Sequence, residues 1–136
     1  MRVMVVDDST AIRQRLVAQF RKAPGVSAVS DAASGEAALA SVDDFRPDWV
    51  ILDLMLPDMS GLEVLEALKR RHPSVRVAVF TNYPYPALRR RCLELGATHF
   101  LGKTTEMEQI LELVLADKPA HAETGSEGGG VGGGVE

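Results

Sequence analysis

Trp49-Val50-Ile51-Leu52-Asp53 is a short apolar run that stops at a carboxylate. The same pattern recurs elsewhere in the chain. Arg2-Val3-Met4-Val5-Val6 stops at Asp7-Asp8, Val75-Arg76-Val77-Ala78-Val79-Phe80 at Thr81, and Thr98-His99-Phe100-Leu101-Gly102 at Lys103. Segments of helical periodicity separate these runs, so they read as parallel strands of an α/β sheet. In an open parallel sheet the carboxyl ends of all strands share one edge, and ligands bind at that edge. Asp7, Asp8, Asp53, Thr81 and Lys103 are therefore expected in a single cleft.

Working outward, the chain reads as five strand–helix pairs. Helix one follows Asp8-Ser9-Thr10, with Ile12, Leu16, Val17 and Phe20 on its apolar face. A short, weak strand two is expected over Val26 to Ser30. Ser34 is the predicted N-cap of helix two, with Ala37, Ala38 and Val42 facing inward. Ser60 and Glu63 have capping-box spacing at the start of helix three, and Thr105 and Glu108 repeat it at helix five. Strand four is expected over Val75 to Phe80 and strand five over Thr98 to Leu101. Helix four starts near Pro86, and Gly96 suits the position just beyond its end. Residues 1–118 then form one domain. Residues 119–136 hold seven of the twelve glycines and almost no bulky apolar side chain, which predicts a flexible Gly-rich tail.

With 136 residues and 46% apolar residues, the chain is long enough for one domain with a real core. No run approaches the roughly 20 apolar residues of a membrane span. Nothing after Met1 resembles a secretory signal. The single cysteine, Cys92, reads as a small core residue, and a cytoplasmic location fits. Net charge is -4, and Glu123, Glu127 and Glu136 in the tail account for most of it. The near-neutral remainder predicts no direct nucleic-acid binding. Two basic clusters stand out, Lys69-Arg70-Arg71 at a helix end and Arg89-Arg90-Arg91 within helix four. The second reads either as a docking patch or as a solvated surface with an Arg90–Glu94 pair.

Two adjacent carboxylates after a buried strand repel each other unless a cation joins them, although Asp8 or Ser9 could simply cap helix one. Asp53 adds a third carboxylate to the same edge, and such a hard oxygen set suits Mg²⁺. Asp53 is the candidate nucleophile, because a carboxylate can attack phosphorus to form an aspartyl phosphate. Lys103 is the candidate cation for the phosphoryl charge. Thr81 offers a hydroxyl at the end of strand four.

This constellation resembles the receiver domain of bacterial two-component response regulators. Val5-Val6-Asp7-Asp8-Ser9 resembles the family's acidic pair. Leu52-Asp53-Leu54-Met55-Leu56-Pro57-Asp58-Met59-Ser60-Gly61 resembles its phosphoacceptor loop, and Thr81 its switch threonine. Gly96-Ala97, Phe100 and Lys103 resemble its last strand with the switch aromatic and lysine. The resemblance covers about residues 1–117 and implies a doubly wound sheet in the flavodoxin-like order 2-1-3-4-5, with five helices on both faces. It implies that Asp53 accepts phosphate from a histidine kinase or histidine phosphotransfer protein. It implies Mg²⁺ held by the Asp8 and Asp53 side chains, by Asp7 through water, and by the Met55 backbone carbonyl. Thr81 would move toward the phosphoryl group and Phe100 would turn inward. A downstream protein or a second receiver would read the change on the helix 4–strand 5–helix 5 face. The expected protein is a stand-alone receiver, a switch and not an enzyme.

Some positions depart from the family pattern. Thr104 stands where proline is common, Asn82 where a small residue is usual, and Phe100 where tyrosine is frequent. Tyr83-Pro84-Tyr85-Pro86 is an unusual loop restricted by two prolines, and Met55 and Tyr83 flank the expected path of attacking water. Two other classes compete with the switch: a haloacid-dehalogenase-like phosphatase, whose Asp-x-Asp motif is absent at Asp7-Asp8-Ser9-Thr10, and a receiver that binds partners without switching.

Overall fold

Each apolar run becomes a strand because its side chains alternate between two helix layers. The computed structural model describes residues 1–104 and 107–116. The strands are β1 (Arg2–Val6), β2 (Ala28–Ala32), β3 (Trp49–Leu52), β4 (Arg76–Thr81) and β5 (His99–Gly102). The helices are α1 (Thr10–Lys22), α2 (Gly35–Phe45), α3 (Gly61–Arg71), α4 (Pro86–Glu94) and α5 (Met107–Leu115). The strands pair in parallel in the order β2-β1-β3-β4-β5, the doubly wound arrangement the sequence predicts. The helix-five capping box involving Thr105, the domain end at 118 and the tail 119–136 lie outside the described residues.

Val3, Val5, Trp49, Ile51, Ala78 and Phe80 face α1 and α5, where they bury Leu16, Val17, Phe20, Ile110 and Val114. Met4, Val6, Val50, Leu52, Val77 and Val79 face α2, α3 and α4, against Ala38, Val42, Val64, Leu65, Leu68 and Cys92. Because both faces are covered, the central strands read as unbroken apolar runs. Each large side chain buried this way contributes about 1.5–3 kcal/mol. Cys92 is the core residue expected, and burial pushes its thiol pKa up.

Local signals set the helix ends. Ser9 and Ser34 accept from the backbone N–H groups of Ile12 and Ala37 at 3.4 and 3.1 Å. The predicted capping box at α3 is present: Ser60 Oγ accepts from Leu62 N–H, and Glu63 Oε1 accepts from Ser60 N–H, both at 3.1 Å. Gly96 ends the α4 unit at φ 104°, a conformation that favours glycine.

The structure corrects several expectations. β2 lies two residues later than predicted, because its register is set by β1, which pairs Arg2 with Ala28 and Val6 with Ala32. β4 and β5 each shift by one residue for the same reason. Ala37 is exposed. Ala38 and Val42, one helical turn apart, define the buried face of α2, and Ala37 lies off that face. On α4 the ion pair is Arg91–Glu94 at 3.8 Å instead of Arg90–Glu94.

Candidate functional site

The acidic cleft follows from strand register. Val6 of β1 pairs with Leu52 of β3, so the next residues, Asp7 and Asp53, emerge side by side. Asp53 N–H donates to Val6 O at 2.9 Å, and Asp7 N–H to Ala32 O at 3.1 Å. Thr81 of β4 pairs with Gly102 of β5, and Lys103 N–H donates to Thr81 O at 2.7 Å. The expected convergence of Asp7, Asp8, Asp53, Thr81 and Lys103 on one sheet edge is what the structure shows.

Lys103 Nζ lies 2.9 Å from Asp7 Oδ2 and 3.0 Å from Asp53 Oδ2. All three side chains are nearly inaccessible, at 6%, 2% and 4% exposure for Lys103, Asp7 and Asp53. Burial raises the Asp53 pKa above the usual carboxylate range, against the pull of the Lys103 hydrogen bond and the Met55 N–H. Burial pulls the Lys103 ammonium down, but hydrogen bonds to Asp7 and Asp53 and their charges outweigh it, so its pKa ends above the ordinary lysine value. The remaining Asp7 oxygen, Oδ1, accepts from Ser9 N–H at 2.9 Å, and Asp53 Oδ1 from Met55 N–H at 3.2 Å. Asp8 is exposed, and among the described residues its carboxylate has no hydrogen bond or ion pair.

One carboxylate oxygen from each of Asp7, Asp8 and Asp53 lies within 4.8 Å of the others. That spacing and chemistry fit a hard divalent cation such as Mg²⁺. Thr81 is fully buried, and its Oγ1 accepts from Tyr83 N–H at 3.1 Å. Beside it runs an apolar groove of about 230 Å³ lined by Leu54, Met55, Leu62, Thr81, Tyr83 and Leu88, among others. Met55 and Tyr83 are 56% and 42% exposed at its rim. Phe100 is half-buried and packs against the core on the α2–α3–α4 side.

The loop from Asp53 to Gly61 is braced in ways the sequence reading missed. Met55 and Ser60 form an antiparallel bridge. Asp58 accepts from Gly35 and Glu36 N–H groups at 2.9 and 2.8 Å, which ties the loop to the α2 N-terminus. A Cβ on Gly61 would meet Leu54 Cα at 2.4 Å and Asp53 O at 2.6 Å, so only glycine lets α3 start this close to the acceptor. Arg13 was also missed: its guanidinium donates to Asp7 O and Asp31 Oδ2, both at 2.8 Å. Its nearness to the acidic pair in sequence was the one available signal. Two histidines make structural contacts: His72 meets Asp43 at 2.8 Å, and His99 stacks on Trp49 with ring centres 5.9 Å apart.

A doubly wound sheet of this order, with an acid-lined cleft and a lysine at the strand ends, is the architecture of a receiver domain. The response regulator receiver domain profile matches residues 3–115, and the chain belongs to that family of two-component signalling proteins. Response regulator GacA of Pseudomonas viridiflava is 34% identical over 121 residues, covering 85% of this chain and 55% of that protein. The photosynthetic apparatus regulatory protein RegA of Rhodobacter capsulatus is 33% identical over 114 residues, 84% of this chain and 61% of that one. The chain thus spans little more than half the length of these relatives. Among solved structures, a CheY-like receiver domain protein from Methanospirillum hungatei JF-1 superposes with a TM-score of 0.78 at 28% identity, covering 85% of this chain and 90% of that one. The CheX-CheY-BeF3-Mg²⁺ complex from Borrelia burgdorferi also gives 0.78, at 27% identity and with coverage of 85% and 87%. Among the described residues, no helix is long and apolar enough to cross a membrane.

Proposed function

We propose that this receiver takes a phosphoryl group on Asp53 from a histidine kinase or histidine phosphotransfer protein and so switches a partner-binding face. The carrying observation is the Lys103 ammonium shared between Asp53 and Asp7 in a cleft that also holds Asp8. An Asp53 carboxylate oxygen attacks phosphorus. The new O–P bond forms as the donor's P–N bond breaks, and the imidazole leaves with that electron pair. The transferred group needs charge neutralisation more than covalent help. Lys103 is in place to follow it, since its Nζ already contacts Asp53. Asp8 and Asp53 by side chain, Asp7 through water and the Met55 carbonyl would hold Mg²⁺, which when bound would supply further positive charge to offset that of the phosphoryl group.

Thr81 Oγ1 accepts from Tyr83 N–H, which leaves its own proton to donate to a phosphoryl oxygen. Movement of Thr81 would draw Phe100 inward, a two-state change biased by new local charge. The readout face in this reading is α4–β5–α5, with Arg89, Arg90 and Arg91 exposed on α4. A downstream protein or a second receiver docks there, without direct nucleic-acid contact. A cytoplasmic location belongs to the same reading.

Incubation with acetyl phosphate and Mg²⁺, followed by intact-mass measurement, tests the acceptor. Wild type gains one phosphoryl group, and Asp53→Asn gains none. A gain that persists in Asp53→Asn overturns the assignment. Steady release of inorganic phosphate from general phosphate esters would instead favour the phosphatase class. Phosphoryl uptake with no change in partner association would favour a non-switching receiver.

A further inference from the structure

We propose that Arg13 is a positioning residue for the acidic pair, one that holds Asp8 in its metal-binding direction, on the reading above that Asp7, Asp8 and Asp53 bind Mg²⁺. Arg13 is in the first turns of α1, and its side chain is only 14% exposed. A cation near a helix N-terminus is electrostatically disfavoured unless something holds it there. Here two groups do. Nε donates to Asp31 Oδ2 at 2.8 Å, on the edge strand β2, and Nη1 donates to the Asp7 carbonyl at 2.8 Å. The planar guanidinium makes the two contacts through two different nitrogens in a fixed geometry, whereas a lysine would have to bring one nitrogen within reach of both acceptors.

The Asp7 carbonyl belongs to the peptide that joins Asp7 to Asp8. Asp7 itself is over-determined: its N–H donates to Ala32 O, its Oδ1 accepts from Ser9 N–H, and its Oδ2 meets Lys103. Asp8 has no such support, since its carboxylate has no partner among the described residues. Its backbone is held on one side by Ser9 N–H on Asp7 Oδ1 and on the other by Arg13 on the Asp7 carbonyl, so Arg13 steadies the plane of the peptide from which the Asp8 side chain is aimed. Outer contacts that orient ligands change metal affinity by about 10–100-fold when removed.

Charge alone predicts the opposite sign. Removing a cation beside a dication site should tighten Mg²⁺ binding. If Arg13 positions Asp8, Arg13→Ala should instead weaken it, with the dissociation constant rising about tenfold. Arg13→Lys keeps the charge and the stem but loses the fork, so charge alone predicts no change and positioning predicts a rise in the dissociation constant, smaller than that of Arg13→Ala. The measurement is titration calorimetry with MgCl₂ on wild type and both variants, beside thermal unfolding in metal-free buffer to show that each is folded. Phosphoryl uptake from acetyl phosphate in Arg13→Lys, measured at a temperature where the metal-free variant is fully folded, should recover toward wild type as Mg²⁺ is raised, because occupancy of the site and not refolding then limits it. Equal or tighter Mg²⁺ binding in Arg13→Ala, or unchanged binding in Arg13→Lys, overturns the proposal. Absence of Mg²⁺ binding in wild type would instead overturn the metal-site reading on which it depends.

Discussion

The Lys103 ammonium lies 3.0 Å from Asp53 Oδ2, a contact between side chains fifty residues apart in sequence. It also meets Asp7 at 2.9 Å, so one positive charge serves two buried carboxylates. Removing it leaves like charges facing each other in a desolvated place.

Lys103→Met should therefore destabilise the fold by about 1.5–3 kcal/mol in metal-free buffer, the range for hydrogen bonds to charged groups. Millimolar Mg²⁺ should restore part of the loss by replacing the missing charge. Urea unfolding with and without Mg²⁺ checks both parts. Equal stability of variant and wild type without metal would show that the pair is energetically neutral.

Asp8 tests the cation site with little disturbance to packing, because its side chain is exposed. A ligand present at 100 times its dissociation constant stabilises the native state by about 2.7 kcal/mol. Saturating Mg²⁺ should raise the thermal midpoint of wild type accordingly, and Asp8→Ala should lose most of that rise. A midpoint indifferent to Mg²⁺ in wild type removes the metal from the proposed chemistry.

Gly61→Ala should cost at least about 1–3 kcal/mol, the range for overpacking, because the new methyl meets backbone and not a flexible side-chain end. The displaced atoms belong to Asp53 and Leu54, so phosphoryl uptake should slow along with the loss of stability. Denaturation and intact-mass kinetics on the same variant measure both effects. Wild-type stability would mean that the α3 start can shift without strain.

Asp58 carries a pH dependence with a definite sign. Its carboxyl pKa is held below the usual range first by Glu36 N–H and then by Gly35 N–H. A group depressed in the folded state contributes stability above its unfolded pKa, and that stability is lost as pH falls through the folded value. Asp58→Ala should lower the thermal midpoint at neutral pH, and its gap to wild type should narrow once the solution is more acid than the folded pKa. Midpoints across that acid range decide it, and a gap independent of pH would assign the Asp58 effect to something other than its charge.

Much of this molecule was legible in one dimension. Three of the strand runs, β1, β3 and β4, are apolar on both faces, as strands of a covered parallel sheet are, and in such a sheet the carboxyl ends share an edge. That constraint alone brought Asp7, Asp53, Thr81 and Lys103 together before any distance was known. Caps were legible too, because Ser34 and Ser60 act on backbone groups only a few residues away. β2 was less so: its polar Ser30 and Asp31 hide the pattern, and pairing with β1 decides where it begins.

Tertiary structure decided what depends on partners far apart in sequence. The phase of α2, which buries Ala38 and exposes Ala37, reflects packing against the sheet and α3, not local preference. The Asp58 clamp on the α2 start spans more than twenty residues, and nothing within its own loop predicts it. Sharing of Lys103 between Asp7 and Asp53, like the Arg13 fork on Asp7 and Asp31, is a choice of side-chain conformation among several charged neighbours. Strand order constrains which residues meet, but the acceptor each donor takes follows from distances and burial that exist only once the chain has folded.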